Sequence, residues 1–312
     1  MTANQILFCG LEHLRLPSAQ KPIGFPCGFT LTQDKEHMRN AEVAGLKRTF
    51  GELEWDYLSS LPWHFVLEIS SLSPEGPIPT VDHYNRILDV FLQCSWIAAD
   101  NNANISDTFL IWQSDAGINV STNSNIKRYT ACSHASSSRW FGSNELGVWL
   151  NAFNIFNTSD ISQAHPHKTH IIKGLSPLSL YFSNIQLARM ATDAALKLMQ
   201  YCIAFETLFT TSNSELSHTV AERIAIYRTR NKSCRIETYR LIKQAYDVRS
   251  KISHGSIIKH GAESIGELLV NIDEIARQVL AKAIKNSKDT LDFSDSQAVD
   301  SYFLNRLMAD GR

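Results

Sequence analysis

The residues best suited to chemistry are an arginine and a histidine in the segment YDVRSKISHG, residues 246–255. Arg249 is permanently charged and offers a fork of N–H donors to phosphate oxygens, whereas His254 is of the residue type that exchanges protons near neutral pH. RNA cleavage by its own 2′-hydroxyl needs a base, an acid for the leaving 5′-oxygen and a cation for the developing charge. Such a reaction needs no metal and leaves 2′,3′-cyclic phosphate ends.

The helix that must carry these two residues does not aim them at one point. If residues 236–253 are helical, one apolar stripe faces the core, with Arg249 on one flank and His254 on the other. The stripe consists of Leu241, Ala245, Val248 and Ile252, the first flank also holds Ile242 and Tyr246, and the second also holds Asp247 and Lys251. Five positions separate Arg249 from His254 by about 140°. Either the last turn unwinds before Gly255, or a second copy of the helix supplies the missing group across a dimer seam.

Several neighbouring residues have a structural and a functional interpretation. Asp247 and Lys251 are four apart and most simply pair on the helix surface. Tyr246 can stack on a base, but its spacing favours packing. Ser250 and Lys251 are candidates for phosphate contact, and His254 can instead be a favourable charge at a helix C-terminus.

Charge is distributed unevenly along the chain. Residues 1–177 have a net charge of −4 and residues 178–312 a net charge of +3, and the window 223–251 holds nine basic residues against Glu237 and Asp247. A basic helix face is often only solvated, but this one surrounds the candidate site and would attract a phosphate backbone. Arg240 and Lys243 are further RNA-binding candidates within this window.

Three motifs resemble one known family. AFETLF at 204–209, AERIAIY at 221–227 and YDVRSKISHG occur in the order found in the ApeA-like branch of the HEPN superfamily, over about residues 178–285. The resemblance implies an all-α bundle in which the Arg-x4–6-His motif, here Arg249 and His254, cleaves RNA, commonly as a homodimer. It also implies supporting roles for Glu206 and Arg223. Glu206 either supports Arg249 or His254, or forms a structural ion pair with Arg223, and the structural role is favoured.

The same resemblance implies a biological role and leaves two competitors. A HEPN endoribonuclease of this kind acts as a toxin or effector in prokaryotic anti-phage defence by abortive infection, with a variable N-terminal region that senses a phage-derived trigger or binds a regulatory partner. One competitor is a non-catalytic HEPN module that binds RNA or nucleotide, or serves as a dimerisation platform. The other is a neutralised toxin subunit whose basic Arg249 surface is covered by a partner chain.

The first half of the chain predicts a mixed α+β domain that is hard to interpret from the sequence. Residues 63–70 and 107–113 have the apolar and aromatic character of strands, whereas 82–98 and 143–156 repeat apolar residues at helical spacing. A hairpin with a Gly or Asn turn is expected within 116–132. We therefore expect a sensing or regulatory domain over residues 1–170.

Long helices dominate the second half. The segment 157–177 is rich in Ser, Thr, Pro, His and Gly, and it predicts the domain boundary. The predicted HEPN-like ribonuclease domain, residues 171–312, has apolar residues every three or four positions. Expected elements are a long helix or helix pair over 178–209, a helix beginning near Ser214 or Ser217, a helix ending at Gly255, and helices over 262–285 and 294–308.

Composition and missing motifs exclude other classes of protein. With 44% hydrophobic and 20% charged residues the chain should fold, and with no apolar run of membrane-spanning length a cytoplasmic protein with no membrane partner is expected. No GxxxxGK[ST], GxGxxG, GxSxG or HExxH pattern occurs, so no cofactor is expected. Six scattered cysteines predict free thiols, and His165, His167 and His170 are interpreted as part of a linker rather than a zinc site, so no metal is expected.

Overall fold

A computed structural model describes residues 5–17, 22–25, 28–69, 81–114, 117–123, 127–133, 139–156, 176–211, 216–257, 261–285 and 291–309. The chain divides into two compact units. Unit 1 comprises Met1–Ser95, Asn101–Arg128 and Ala135–Asn154, and unit 2 comprises Trp96–Asp100, Tyr129–His134 and Ile155–Arg312. The predicted boundary and the histidines of the AHPHKTH segment fall within 157–175, outside the described residues. The predicted fold class, an α+β region followed by a helical region, is confirmed.

The strands of the described chain belong to two sheets. The strands are β1 (Gln5–Glu12), β2 (Leu14–Arg15), β3 (Ile23–Gly24), β4 (Thr30–Thr32), β5 (His64–Ile69), β6 (Asn104–Ile105), β7 (Thr108–Ser114), β8 (Gly117–Asn123) and β9 (Arg139–Trp140). Seven of them form an antiparallel sheet in the order β3-β4-β5-β1-β7-β8, with β6 paired to β1. The remaining two, β2 and β9, pair in parallel.

Five helices begin in the first half of the chain. They are α1 (Glu36–Val43), α2 (Lys47–Phe50), α3 (Glu52–Ser60), α4 (Val81–Ala98) and α5 (Ser143–Phe156). The predictions for α4, α5, β5 and β7 are confirmed to within a residue or two. The hairpin expected within 116–132 is wrong, because β8 pairs with the preceding strand β7, with Ser114 opposite Gly117.

The central strand β1 explains why the sheet was difficult to predict. Six consecutive residues of β1, Leu7 to Glu12, are buried, so the strand lacks the alternation of apolar and polar residues that marks a one-sided strand. Phe8 packs in a core with side chains from α1, α2, α3 and neighbouring strands, including Met38, Phe50 and Trp55. A Cβ atom at Gly10 would lie 2.3 Å from Leu61 Cδ1, so a larger residue there would require the Leu61 side chain to move.

Unit 1 contains two buried histidines, and from them we predict that acid lowers its stability. His64 donates from Nε2 to the Leu58 carbonyl at 3.0 Å, so its Nδ1 accepts from His37 Nε2 at 2.8 Å. Burial lowers the pKa of His37 to about 3 and that of His64 to about 4, from the ordinary 6.5. The unfolded chain therefore binds more protons below pH 6.5, and the free energy of unfolding should fall as the pH drops towards 4.

The expected loss at pH 5 is about 2 kcal/mol for each histidine. Urea denaturation at pH 7 and pH 5 measures it. His37→Gln, whose amide can still donate to His64, should lower this pH dependence by about half. An unchanged pH dependence in the variant would show that the pair does not titrate on unfolding.

Six further helices follow in the second half of the chain. They are α6 (Pro177–Met190), α7 (Ala194–Phe209), α8 (Leu216–Arg228), α9 (Lys232–Ser253), α10 (Ala262–Ala283) and α11 (Ser296–Ala309). The segment 178–209 is a helix pair, and the predicted helices near Ser217, before Gly255, over 262–285 and over 294–308 are confirmed. Three of these helices begin at a residue whose side chain accepts hydrogen bonds from backbone N–H groups of the first turn. Ser176 caps α6 by accepting from Ser179 N, Asp193 caps α7 by accepting from Ala195 N and Leu196 N, and Asn231 caps α9 by accepting from Cys234 N.

Helix α7 lies at the centre of unit 2. It contacts α6, α8, α9 and α10, and its buried side chains include Tyr201, Phe205 and Phe209. A residue on α7 that faces α9 is therefore held on a well-packed scaffold. Within the described part of the chain, no helix combines the length and apolar character that crossing a membrane requires. None of the five described cysteines forms a disulfide.

Candidate functional site

Helix α9 presents a slightly different face to the core than its apolar pattern predicts. Ala245 and Val248 are buried as expected, but Leu241 and Ile252 are only half-buried. Ile242 and Tyr246, predicted on the flank, are buried instead. The helix is thus rotated towards the flank that carries Arg249, and this rotation brings Arg249 to α7.

Arg249 forms an ion pair with a glutamate of the central helix. Its Nη2 lies 3.6 Å from Glu206 Oε1, and the Arg249 and Glu206 side chains are 35% and 21% exposed. This distance exceeds a hydrogen bond, so the contact orients the guanidinium by charge, and its N–H donors bond no other group among the described residues. Glu206 therefore supports Arg249, which is one of the two roles predicted for it.

The other predicted role, an ion pair between Glu206 and Arg223, is wrong. Arg223 Nη2 is 2.6 Å from Asp300 Oδ1, and its Nη1 donates to the Phe209 carbonyl at 3.1 Å. Its guanidinium also lies over the Phe303 ring, 5.4 Å from the centroid. Arg223 thus ties α11 to the end of α7, a packing role that only the tertiary structure reveals.

Tyr246 is packed rather than available for stacking. Only 6% of the residue is exposed. Burial raises the pKa of its hydroxyl above the usual range, and the neighbouring Cys202 and Glu206 raise it further. The Tyr246 hydroxyl therefore stays uncharged, and the side chain packs beside Glu206 and Arg249.

A cavity of about 470 Å³ opens beside Arg249. It is lined by Leu216, Ser217, Lys243, Tyr246, Asp247, Arg249 and Ser250. Five of these residues were predicted as site residues, and their presence around one space was not evident from the helix pattern. Leu216 and Ser217 were not predicted, because they come from α8 and only the packing of α8 on α9 places them here.

The two basic residues that line the cavity, Arg249 and Lys243, have different kinds of partner. Lys243 Nζ donates to the neutral Ser217 Oγ at 2.8 Å, and no ion pair joins Lys243 to a carboxylate among the described residues. Asp247 is bridged to Lys251 at 2.6 Å, which confirms the predicted surface pair and offsets the one acid in the lining. The cavity therefore favours an anion. Arg240 is exposed on α9 and is not among the lining residues.

His254 stands at the end of α9 and outside this lining. The backbone N–H of His254 donates to the Ser250 carbonyl at 3.1 Å, so the last turn of α9 does not unwind. The predicted unwinding before Gly255 is therefore wrong. Gly255 has φ +64°, and the bonds from Gly255 N to Ile252 O and from Ser256 N to Lys251 O close a Schellman motif. His254 is exposed. Within one chain, the separation of about 140° from Arg249 is retained.

A second polar cluster in unit 2 was not predicted. Ligand atoms of Asp100, Cys132 and Asp273 lie within 4.8 Å of one another. Asp273 accepts from Trp96 Nε1 at 2.6 Å and from the Tyr201 hydroxyl, and it pairs with Arg277 at 2.8 Å.

The donors around this cluster favour a structural role. Asp100 accepts from the backbone N–H groups of Cys132 and Ser133, and burial raises the pKa of the Cys132 thiol. A cation would have to displace these donors, so the residues fit a buried hydrogen-bonded network better than a metal centre. The sequence signal was an aspartate on the apolar face of α10, beside Ile272.

Comparisons of the chain with models of protein families, with curated proteins and with solved structures found no match.

Proposed function

We propose that the chain is a metal-independent endoribonuclease of the HEPN type. The observation that carries this proposal is the cavity on α9, in whose lining Arg249, 3.6 Å from Glu206, lies together with Lys243, which bonds only the neutral Ser217 among the described residues. The sequence motif adds His254 five positions further along the same helix. Together these groups supply a cation for phosphate oxygens and a group for proton transfer.

Each residue has a separate task in this reaction. Arg249 stabilises the negative charge that develops on the non-bridging oxygens when the 2′-oxygen attacks phosphorus. His254 transfers a proton, either from the 2′-hydroxyl or to the leaving 5′-oxygen. Lys243 and Ser250 hold the RNA strand, and Glu206 positions Arg249.

A homodimer resolves the separation of the two catalytic residues. Because α9 stays helical up to the Schellman motif, Arg249 and His254 of one chain do not converge. A second α9 packed around a two-fold axis would offer its histidine to the first chain's arginine, and reciprocally. The helical unit is therefore the proposed dimerisation element, and RNA is the proposed substrate.

The resemblance to ApeA-like proteins supports a proposed role as a toxin or effector in anti-phage defence by abortive infection. Cleavage of cellular RNA would arrest growth of an infected cell, and unit 1 would respond to a phage-derived trigger or a regulatory partner. The cytoplasm, where the RNA is, is the proposed location.

The second candidate is a non-catalytic module that binds RNA or nucleotide. It is favoured by one observation, the absence of His254 from the described residues that line the cavity. In this alternative Arg249 and Lys243 bind phosphate, and His254 stabilises the C-terminus of α9.

Incubation of the purified protein with cellular RNA in EDTA tests the proposed function. We expect cleavage with 2′,3′-cyclic phosphate ends, which mapping of the cut ends detects. A lack of cleavage under all conditions, including with phage components added, would contradict the nuclease proposal and favour the non-catalytic binding module.

Glu206→Gln is expected to lower kcat on the order of tenfold, with KM changed less than about twofold. The amide keeps the shape of Glu206 but removes the charge that orients Arg249. Steady-state cleavage assays measure the two constants, and Glu237→Gln, which makes the same change at an exposed position on α9, is the control. Equal kcat values for the two variants would remove Glu206 from a positioning role.

A further inference from the structure

The parallel strand pair of unit 1 exposes a tryptophan beside an arginine. In the register of β2 and β9, Arg15 is opposite Trp140. Register partners project from the same face of a sheet. Arg15 is exposed, and Trp140 is 58% exposed, although tryptophan is usually among the well-buried residue types.

The exposure of Trp140 does not result from loose packing of its strand. The next residue, Phe141, is 0% exposed, and its N–H donates to the Arg15 carbonyl at 2.9 Å. The strand is thus anchored by Phe141 while Trp140 faces outward. Within the described part of the chain, no aromatic ring or guanidinium lies at stacking distance from the Trp140 ring.

Further basic residues lie on this strand pair or on segments that contact it. Arg139 is exposed, and its N–H donates to the His13 carbonyl at 3.2 Å, which places His13 at the same edge. Arg128 is 56% exposed and pairs with Glu12, which is itself only 2% exposed and also accepts from the Tyr57 hydroxyl at 2.8 Å. Glu12 is therefore buried, whereas His13, Arg15, Arg128 and Arg139 are the exposed basic residues of this region.

This positive charge runs against the charge of the surrounding sequence. Residues 1–177 have a net charge of −4, yet Arg15 lies opposite the exposed indole of Trp140, and Arg139 directly precedes it on β9. A base stacked on an aromatic ring, with its flanking phosphates on arginines, is the mode by which proteins bind single-stranded nucleic acid. A membrane surface would instead favour several exposed apolar side chains, whereas the adjacent Leu14 and Leu16 are buried.

We propose that the patch formed by His13, Arg15, Arg128, Arg139 and Trp140 binds single-stranded nucleic acid. A base stacks on the indole of Trp140, and the arginines contact the phosphates on either side. The patch lies in unit 1 and uses none of the residues of the cavity on α9. The proposal therefore does not depend on the nuclease function and would outlast its failure.

Fluorescence anisotropy with a short labelled oligonucleotide tests this proposal in the full chain. Every variant also carries Arg249→Ala, which weakens binding at the cavity and prevents cleavage. Trp140→Ala should weaken binding by about tenfold, and Trp140→Phe, which keeps a ring, should recover most of the loss. Arg139→Ala and Arg15→Ala should each make the salt dependence shallower by roughly one phosphate contact. Val43→Ser, at a 90% exposed position on α1, should bind like the parent.

The competing partners give different results. Equal affinity for RNA and DNA of one sequence supports the general form of the proposal, and a preference for RNA supports RNA as the natural ligand. The proposal is overturned if Trp140→Ala binds both oligonucleotides as tightly as Val43→Ser. It is also overturned if Trp140→Ala changes only binding to phosphatidylserine vesicles or only the sedimentation of the protein, because the surface would then serve a membrane or another protein.

Discussion

Replacing His254 with alanine is expected to lower the rate of RNA cleavage by about 100-fold or more, while the affinity for RNA changes by less than about twofold. The side chain is exposed at the C-cap of α9, so its loss removes no packed contact. Arg249 and Lys243, the proposed phosphate-binding groups, are untouched. Single-turnover cleavage and filter binding on the same preparations measure the two effects separately.

An exposed histidine elsewhere in unit 2 provides the matched control. His218 on α8 contacts the Tyr239 hydroxyl through Nδ1 at 2.8 Å and does not line the cavity. His218→Ala should cleave at close to the parent rate. If His254→Ala also does so, the binding module replaces the nuclease as the better account of the cavity.

The helical half of this fold was predictable because its signals are local. Asn231 caps α9, Gly255 ends it with a positive φ, and apolar residues recur at helical spacing between them. The sheet was less predictable, because β1 is buried on both faces and carries no alternation. The short helices α1 to α3 are defined by their packing around Phe8 and Phe50 rather than by a long periodic pattern.

The residues of the candidate site that lie on α9 could be predicted from the sequence, whereas their partners on other helices could not. One helix fixes the spacing of Lys243, Arg249 and His254, so the sequence alone yields their relative angles. The partners come from other helices: Glu206 from α7 and Ser217 from α8. A small rotation of α9 buries Tyr246 in place of Leu241, and it decides which of these partners Arg249 meets. Such rotations depend on side-chain packing between helices, which periodicity does not encode.

The proposed homodimer would decide whether Arg249 and His254 can act together. A helix that remains intact up to the Schellman motif keeps Arg249 and His254 on different sides, so under the nuclease proposal one chain would contribute to two different sites. In a two-fold dimer, each complete site would combine the arginine of one chain with the histidine of the other. This arrangement makes a quantitative prediction for mixed dimers.

Mixing Arg249→Ala chains with His254→Ala chains is expected to restore about a quarter of the parent cleavage rate, although each variant alone is inactive. In a mixed dimer, one site receives the intact arginine and the intact histidine, whereas the other receives neither. About half of randomly assembled dimers are mixed, and each has one working site of two. Differently tagged chains purified in tandem isolate the mixed dimer, in which about half the parent rate is expected. If tandem-purified mixed dimers stay inactive, the site does not combine one arginine and one histidine across the two-fold axis, and α9 must pair in some other way.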